Sequence, residues 1–183
     1  MRTNTSCCGD GLVVEAHRGD SQAYPENSLL AFRKAVEAGA FSIELDVHVT
    51  RDGSFVVMHD ATVDRTTGSH GAIRDLALAD LAGLECGAWK DEAFRGEPIP
   101  TLEQALAVAR AGGVRLNVEV KSLSLDAEAP HRLARLLSGD AGKGGGGHVV
   151  SSFEVASLLA VRAADAGIPL ALLGKAPDRK SGG

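Results

Sequence analysis

Ile43-Glu44-Leu45-Asp46-Val47 constrains this chain more than any other stretch. Apolar and acidic residues alternate strictly. In a β-strand that period of two sends Ile43, Leu45 and Val47 to one face, and Glu44 and Asp46 to the other. Two carboxylates on one face repel each other and lose hydration when buried, so a cation must offset them. A hard divalent metal is the most economical candidate. About one βα unit upstream, Leu12-Val13-Val14 reads as a buried strand that delivers His17 and Arg18 together at its C-terminal end. A histidine, an arginine and a paired-carboxylate metal site together point to phosphate chemistry.

Strand-like and helix-like segments alternate along the rest of the chain. Pro25-Glu26-Asn27-Ser28 opens a helix with apolar positions Leu29, Phe32 and Val36, stopped by Gly39. Further strands are expected at Phe41 to Val47, Phe55 to Met58, Val114 to Val120 and His148 to Ser152, with a sixth apolar run at Leu170 to Leu173. Thr101 begins a capping box with Gln104 and leads another helix to Gly112-Gly113. Helices are also expected near Leu76 to Leu84, Ala127 to Leu137 and Glu154 to Ala166, and a polar loop at Asp64 to Gly68. This rhythm predicts an α/β protein with a parallel sheet.

Only Val47 to Ser54 separates the second and third strands, too little for a helical crossover. The chain is therefore expected to descend in extended form, turn at Asp52-Gly53 and climb again. That path puts Glu44, Asp46 and His59 at one end of the sheet, where a TIM-type barrel carries its chemistry. His48 shares their parity but falls on the descending segment, which favours a surface or supporting role. His70, His131 and His148 receive no role, and Trp89 and Phe94 read as ordinary packing.

At 183 residues, 44% hydrophobic and 23% charged, the composition is that of one globular domain. The net charge of −5 disfavours nucleic-acid binding through bulk electrostatics, so any phosphate recognition must be local. Cys7, Cys8 and Cys86 make neither a disulfide framework nor a zinc spacing. No stretch approaches 18 apolar residues, and the leader has no apolar core, so no membrane span and a cytoplasmic location are expected. The run Gly142 to Gly147 lacks the spacing of a phosphate loop and reads as a flexible connection.

Taken together, Ala16-His17-Arg18-Gly19, Pro25-Glu26-Asn27-Ser28, Glu44-Leu45-Asp46-Val47, Thr50-Arg51-Asp52-Gly53, His59-Asp60, Asp64-Arg65-Thr66-Thr67-Gly68, Pro100-Thr101-Leu102, Glu119-Val120-Lys121 and Ser152-Phe153 resemble the glycerophosphodiester phosphodiesterase family. That family belongs to the wider phospholipase-C-like phosphodiesterases. The resemblance implies a TIM-type (β/α)8 barrel and hydrolysis of small glycerophosphodiesters to sn-glycerol 3-phosphate and an alcohol. It implies that Glu44, Asp46 and Glu119 hold a divalent cation, Mg²⁺ or Ca²⁺. It makes His17 and His59 the acid–base pair, and Arg18 and Lys121 the groups that bind the phosphate. Ser28 stands where the family usually has threonine, and both suit a helix start. A lysophospholipase-D-type activity would use the same residues, and a noncatalytic remnant is the alternative from another class.

A complete barrel of this type usually needs about 250 residues. Six strands are counted, so the expected architecture is an incomplete barrel lacking the last two βα units. The expected organisation is a disordered leader over 1–11, a partial phosphodiesterase domain over 12–173 and a polar tail over 174–183. An unclosed parallel sheet leaves edges unpaired, and the chain is expected to self-associate through them.

Overall fold

The computed structural model describes residues 13–121, 123, 126–138 and 147–174. The leader over 1–11, the glycine run over 142–146 and the tail beyond Gly174 lie outside the described residues. In chain order the elements are β1 (Glu15–His17), α1 (Leu29–Glu37), β2 (Ser42–Val49), β3 (Phe55–Val57), α2 (Asp64–Thr67), α3 (Leu78–Leu81), α4 (Leu102–Gly112), β4 (Arg115–Val120), α5 (Ala129–Ser138), β5 (Val149–Ser152), α6 (Val155–Ala164) and β6 (Leu170–Leu172).

β1, β2, β4, β5 and β6 form a parallel sheet in that spatial order, with helices between them: an incomplete barrel. The register aligns residues of like parity, so His17 lies beside Glu44, Asp46 beside Glu119, and Glu119 beside Ser151. Ile43, Leu45 and Val47 of β2, Leu116, Val118 and Val120 of β4, and Val150 of β5 share one core with Phe32 and Ala35 of α1, Leu102, Ala105, Leu106 and Ala109 of α4, and Leu133 and Leu137 of α5. That apolar interface holds the sheet to its helices and leaves the opposite face to polar side chains.

The local signals act as read. Ser28 caps α1, its Oγ accepting from the Ala31 N–H at 3.0 Å. The Thr101–Gln104 capping box opens α4, and Gly113 ends it in the left-handed region at φ 68°. Among the described residues, no helix is long and apolar enough to cross a membrane.

Three expectations require correction. First, β3 does not climb: it runs antiparallel to β2, pairing Val47 with Val57 and Val49 with Phe55. The strand that descends is β3 itself, because Thr50 to Ser54 is only long enough for a hairpin. Thr50 Oγ1 knits that turn by donating to Asp52 Oδ1 at 2.6 Å and accepting the Ser54 N–H at 2.9 Å, while Gly53 takes φ 83°. Second, of the run Leu12-Val13-Val14, expected as a buried strand, Leu12 lies outside the described residues, and Val13 and Val14 are neither buried nor in a strand. Pairing begins at Glu15, and Val13 and Val14 are 60% and 53% exposed. β1 is an edge of the described sheet, so its outer flank has no neighbour there. Third, Asp64 to Thr67 is a helical turn, not a loop. It follows Val63, which lies in a second small core with Val56, Met58, Ile73 and Leu81.

Candidate active site

The polar face of the sheet gathers its charge where β1, β2 and β4 end. Glu44, Asp46 and Glu119 are all buried, and one carboxylate oxygen from each lies within 4.8 Å of the others. Burial first, then repulsion from Asp46, push the Glu44 carboxyl up to about 7; Glu119 adds to the repulsion. The Arg18 backbone N–H, donating to Glu44 Oε2 at 2.9 Å, opposes that rise.

Two cations answer the acids. Lys121 Nζ lies 2.6 Å from Glu119 Oε1 and 2.6 Å from Asp46 Oδ1, the latter an ion pair without hydrogen-bond alignment. Burial pulls the Lys121 ammonium down, but its pairs with Asp46 and Glu119 outweigh that and raise it overall. Arg18 Nε lies 3.3 Å from Asp46 Oδ2, and its Nη1 is 3.1 Å from Glu26 Oε1.

The backbone is bent to make this arrangement. Arg18 and Asn27 both sit at φ 57°, in the left-handed region that favours glycine. Gly19 follows at φ 79°, where a Cβ would meet the Ala31 backbone carbonyl carbon at 2.8 Å. Asn27 donates its N–H to the Arg18 carbonyl at 3.0 Å and its side-chain amide to Asp46 Oδ2 at 2.8 Å. The strain is retained because those turns aim two side chains at one carboxylate.

The two histidines flank the acids differently. His17 shares the face of Glu44, with Nε2 4.0 Å from Glu44 Oε2, and its side chain is 69% exposed. His59 follows β3, and the preceding Met58 N–H donates to the Asp46 carbonyl at 3.0 Å, so His59 sits at the rim beside the acidic cluster. His48 supports it: Nε2 is 3.1 Å from the His59 carbonyl, which requires the proton on that nitrogen.

The sequence model of the glycerophosphoryl diester phosphodiesterase family matches residues 17–182, the whole of this arrangement. The chain belongs to that family. It is 46% identical over 110 residues to a glycerophosphodiester phosphodiesterase of Caldanaerobacter subterraneus, covering 60% of this chain and 45% of that one. A probable glycerophosphodiester phosphodiesterase 1 of Mycobacterium tuberculosis is 35% identical over 177 residues, covering 90% of this chain and 65% of the relative. An Oleispira antarctica phosphodiesterase, solved in complex with the product sn-glycerol-3-phosphate, superimposes with a TM-score of 0.81 at 33% identity, covering 87% of this chain and 64% of that one. The chain thus spans between about half and two thirds of the length of these family members.

All seven residues read from the sequence fall on one end of the family's sheet. Glu44, Asp46, Glu119, Lys121, Arg18 and His17 meet directly, and His59 is tied to β2 by the His48 side chain at its carbonyl and by the bond of the preceding Met58 N–H to the Asp46 carbonyl. Asn27, Glu26, Asp60 and Arg65 also stand around this cluster, although the sequence marks them only as members of motifs. Their signal was Pro25-Glu26-Asn27-Ser28 and His59-Asp60 standing beside the site residues in sequence. Trp89 is partly exposed and stacks under Arg65, the guanidinium carbon 5.3 Å from the ring centroid.

Proposed function

We propose that this chain carries the site of a metal-dependent glycerophosphodiester phosphodiesterase, which hydrolyses small glycerophosphodiesters to sn-glycerol 3-phosphate and an alcohol. The observation that carries the reading is the buried Glu44–Asp46–Glu119 triad, flanked by Arg18, Lys121 and His17, in a chain of this family. The solved Oleispira antarctica relative with sn-glycerol-3-phosphate supports the substrate class.

The donor set fits a hard divalent cation. Three carboxylates offer only oxygen, converge within 4.8 Å and carry more negative charge than burial tolerates unaided. Mg²⁺ or Ca²⁺ held there would supply Lewis-acid polarisation of a phosphoryl oxygen. Arg18 and Lys121 orient the phosphate and offset the charge that grows on its oxygens. Of His17 and His59, one takes the proton from the attacking hydroxyl and the other returns one to the leaving alkoxide. The phosphorus–oxygen bond to the alcohol breaks as the new one forms. Each proton transfer of this kind is worth ~10²–10⁴-fold. The exposed His17 ring has room to meet substrate, and the setting proposed is cytoplasmic, with Cys86 a free thiol.

The test is hydrolysis of glycerophosphocholine by the purified chain with Mg²⁺ or Ca²⁺, with and without EDTA, beside His17→Ala and Glu44→Ala. Metal-dependent release of sn-glycerol 3-phosphate, lost in both variants, is the expected result. Turnover that survives EDTA or either substitution would overturn the mechanism, and a folded chain without turnover would overturn the assignment.

A further inference from the structure

His59 is held by a chain of charges that the reaction scheme above does not use. Its Nδ1 lies 2.7 Å from Asp60 Oδ1. Asp60 is gripped in turn by a forked guanidinium, with Arg65 Nε 2.6 Å from Oδ2 and Nη2 3.3 Å from Oδ1. The same Nη2 is 2.6 Å from Glu26 Oε1, the oxygen that also accepts from Arg18 Nη1. Trp89 backs the guanidinium, its own ring fixed by Nε1 donating to the Cys86 carbonyl at 2.8 Å.

We propose that Arg65 is a positioning residue: through Asp60 it holds His59 with its proton on Nδ1, which leaves Nε2 to exchange the proton during turnover. Through Glu26 the same guanidinium sets Arg18 against Asp46, so one side chain registers the two halves of the site. The inference rests on His59 being one of the acid–base pair.

The chemistry follows from what each group can do. An ionised carboxylate only accepts, so its contact with Nδ1 requires a proton on that nitrogen. Asp60 stays ionised because Arg65, and after it His59, hold its carboxyl down to about 2 against the cost of burial. A carboxylate next in sequence to a histidine would otherwise turn freely toward water, and the planar fork of an arginine removes that freedom in a way a lysine does not. The charged and titratable groups around His59 are Asp60 beside it, Arg65 of α2, Glu26 ahead of α1, and His48 of β2 with Asp46 and Lys121 beyond. His48 touches the His59 carbonyl and not its ring, so the ring nitrogen that binds protein binds Asp60.

The plain alternative is a surface ion pair, since the Arg65 side chain is 41% exposed and such pairs contribute little to stability. A surface pair would leave the tautomer of His59 untouched. The experiment is therefore imidazole ¹⁵N–¹H correlation NMR of the full chain with Asp60→Ala, Arg65→Gln and Arg65→Lys, alongside kcat and KM against pH. In the wild type the neutral His59 ring is expected as the Nδ1–H form. Asp60→Ala shifts it toward Nε2–H, and Arg65→Gln does the same more weakly. Arg65→Lys, which keeps the charge without the fork, falls between Arg65→Gln and wild type. Asp60→Ala lowers kcat on the order of 10²-fold with KM little changed, within the range for losing a well-placed acid–base group. An unchanged tautomer in Asp60→Ala overturns the proposal, and if that variant does not fold, the same result in Arg65→Gln does. Turnover with a tautomer insensitive to both changes refutes the positioning role alone. A tautomer that responds in a chain without turnover refutes the hydrolase reading alone.

Discussion

Burial and its two acidic neighbours hold the Glu44 carboxyl near 7 in the folded chain, against an ordinary value of 4.5. Between those pH values the folded state keeps a proton that the unfolded state has released. Stability of the metal-free protein therefore falls as pH rises through that window and levels off above it. At ~1.4 kcal/mol per pH unit, the rise from 4.5 to about 7 corresponds to about 3 kcal/mol. Glu44→Gln removes the carboxylate but keeps an oxygen that accepts the Arg18 N–H. It should raise metal-free stability at pH 8 by on the order of 3 kcal/mol and abolish this part of the pH dependence. A divalent cation reverses the sense, because it requires Glu44 ionised: added Mg²⁺ or Ca²⁺ should stabilise the wild type most above pH 7 and the variant little. The assay is urea unfolding in EDTA from pH 5 to 8, with the wild-type minus variant difference as the readout so that other titrations cancel. A constant difference across that range would refute the argument that desolvated carboxylates make this site a cation site.

Asn27→Ala loses a buried bond to a carboxylate and forces alanine to φ 57°, for a cost of about 2–4 kcal/mol in denaturant unfolding. Asn27→Gly keeps the conformation at ease and should cost less; equal losses would show that strain plays no part there. Burial pushes the Cys86 thiol up to about 12, so mapping of alkylated peptides at pH 8 should find Cys86 modified only after denaturant is added. Labelling of the native chain at Cys86 would contradict its burial. Val13, Val14 and Leu172 stand exposed at or beside the two outer strands, and sedimentation velocity is expected to show concentration-dependent self-association. A compact monomer at all concentrations would exclude it.

The alternation in Ile43 to Val47 made the core face of β2 and its acidic pair readable in the sequence, because a strand has only two sides, while Glu119 and Lys121 were implied by the family resemblance. The capping residues Ser28 and Thr101 were equally readable, since each satisfies backbone donors a fixed distance away. What was not readable depended on three-dimensional partners. The reversal of β3 follows from a hairpin, which a five-residue link permits but does not announce against an extended descent. The exposure of Val13 and Val14 follows from the position of β1 at an edge, which composition does not carry. The roles of Asn27 and Arg65 needed the folded chain, because their carboxylate partners lie on other elements: Asp46 on β2 for Asn27, Glu26 ahead of α1 for Arg65. His148 received no role from the sequence; it is buried, and its Nδ1 accepts the Leu116 N–H at 3.0 Å at the start of the β4–β5 ladder.

The division of labour within β2 has an evolutionary consequence. Ile43, Leu45 and Val47 answer to the helices, while Glu44, Asp46 and His48 answer to the proposed site. Neighbouring positions therefore face separate selective pressures although they share a backbone. A deep substitution scan along β2 should oscillate with a period of two, odd positions depleting folded protein and even positions depleting turnover. New specificities could then arise by changing one set of positions while the other preserves the scaffold. A single-residue insertion within the strand would exchange the two sets, and no compensating side-chain change nearby could restore either.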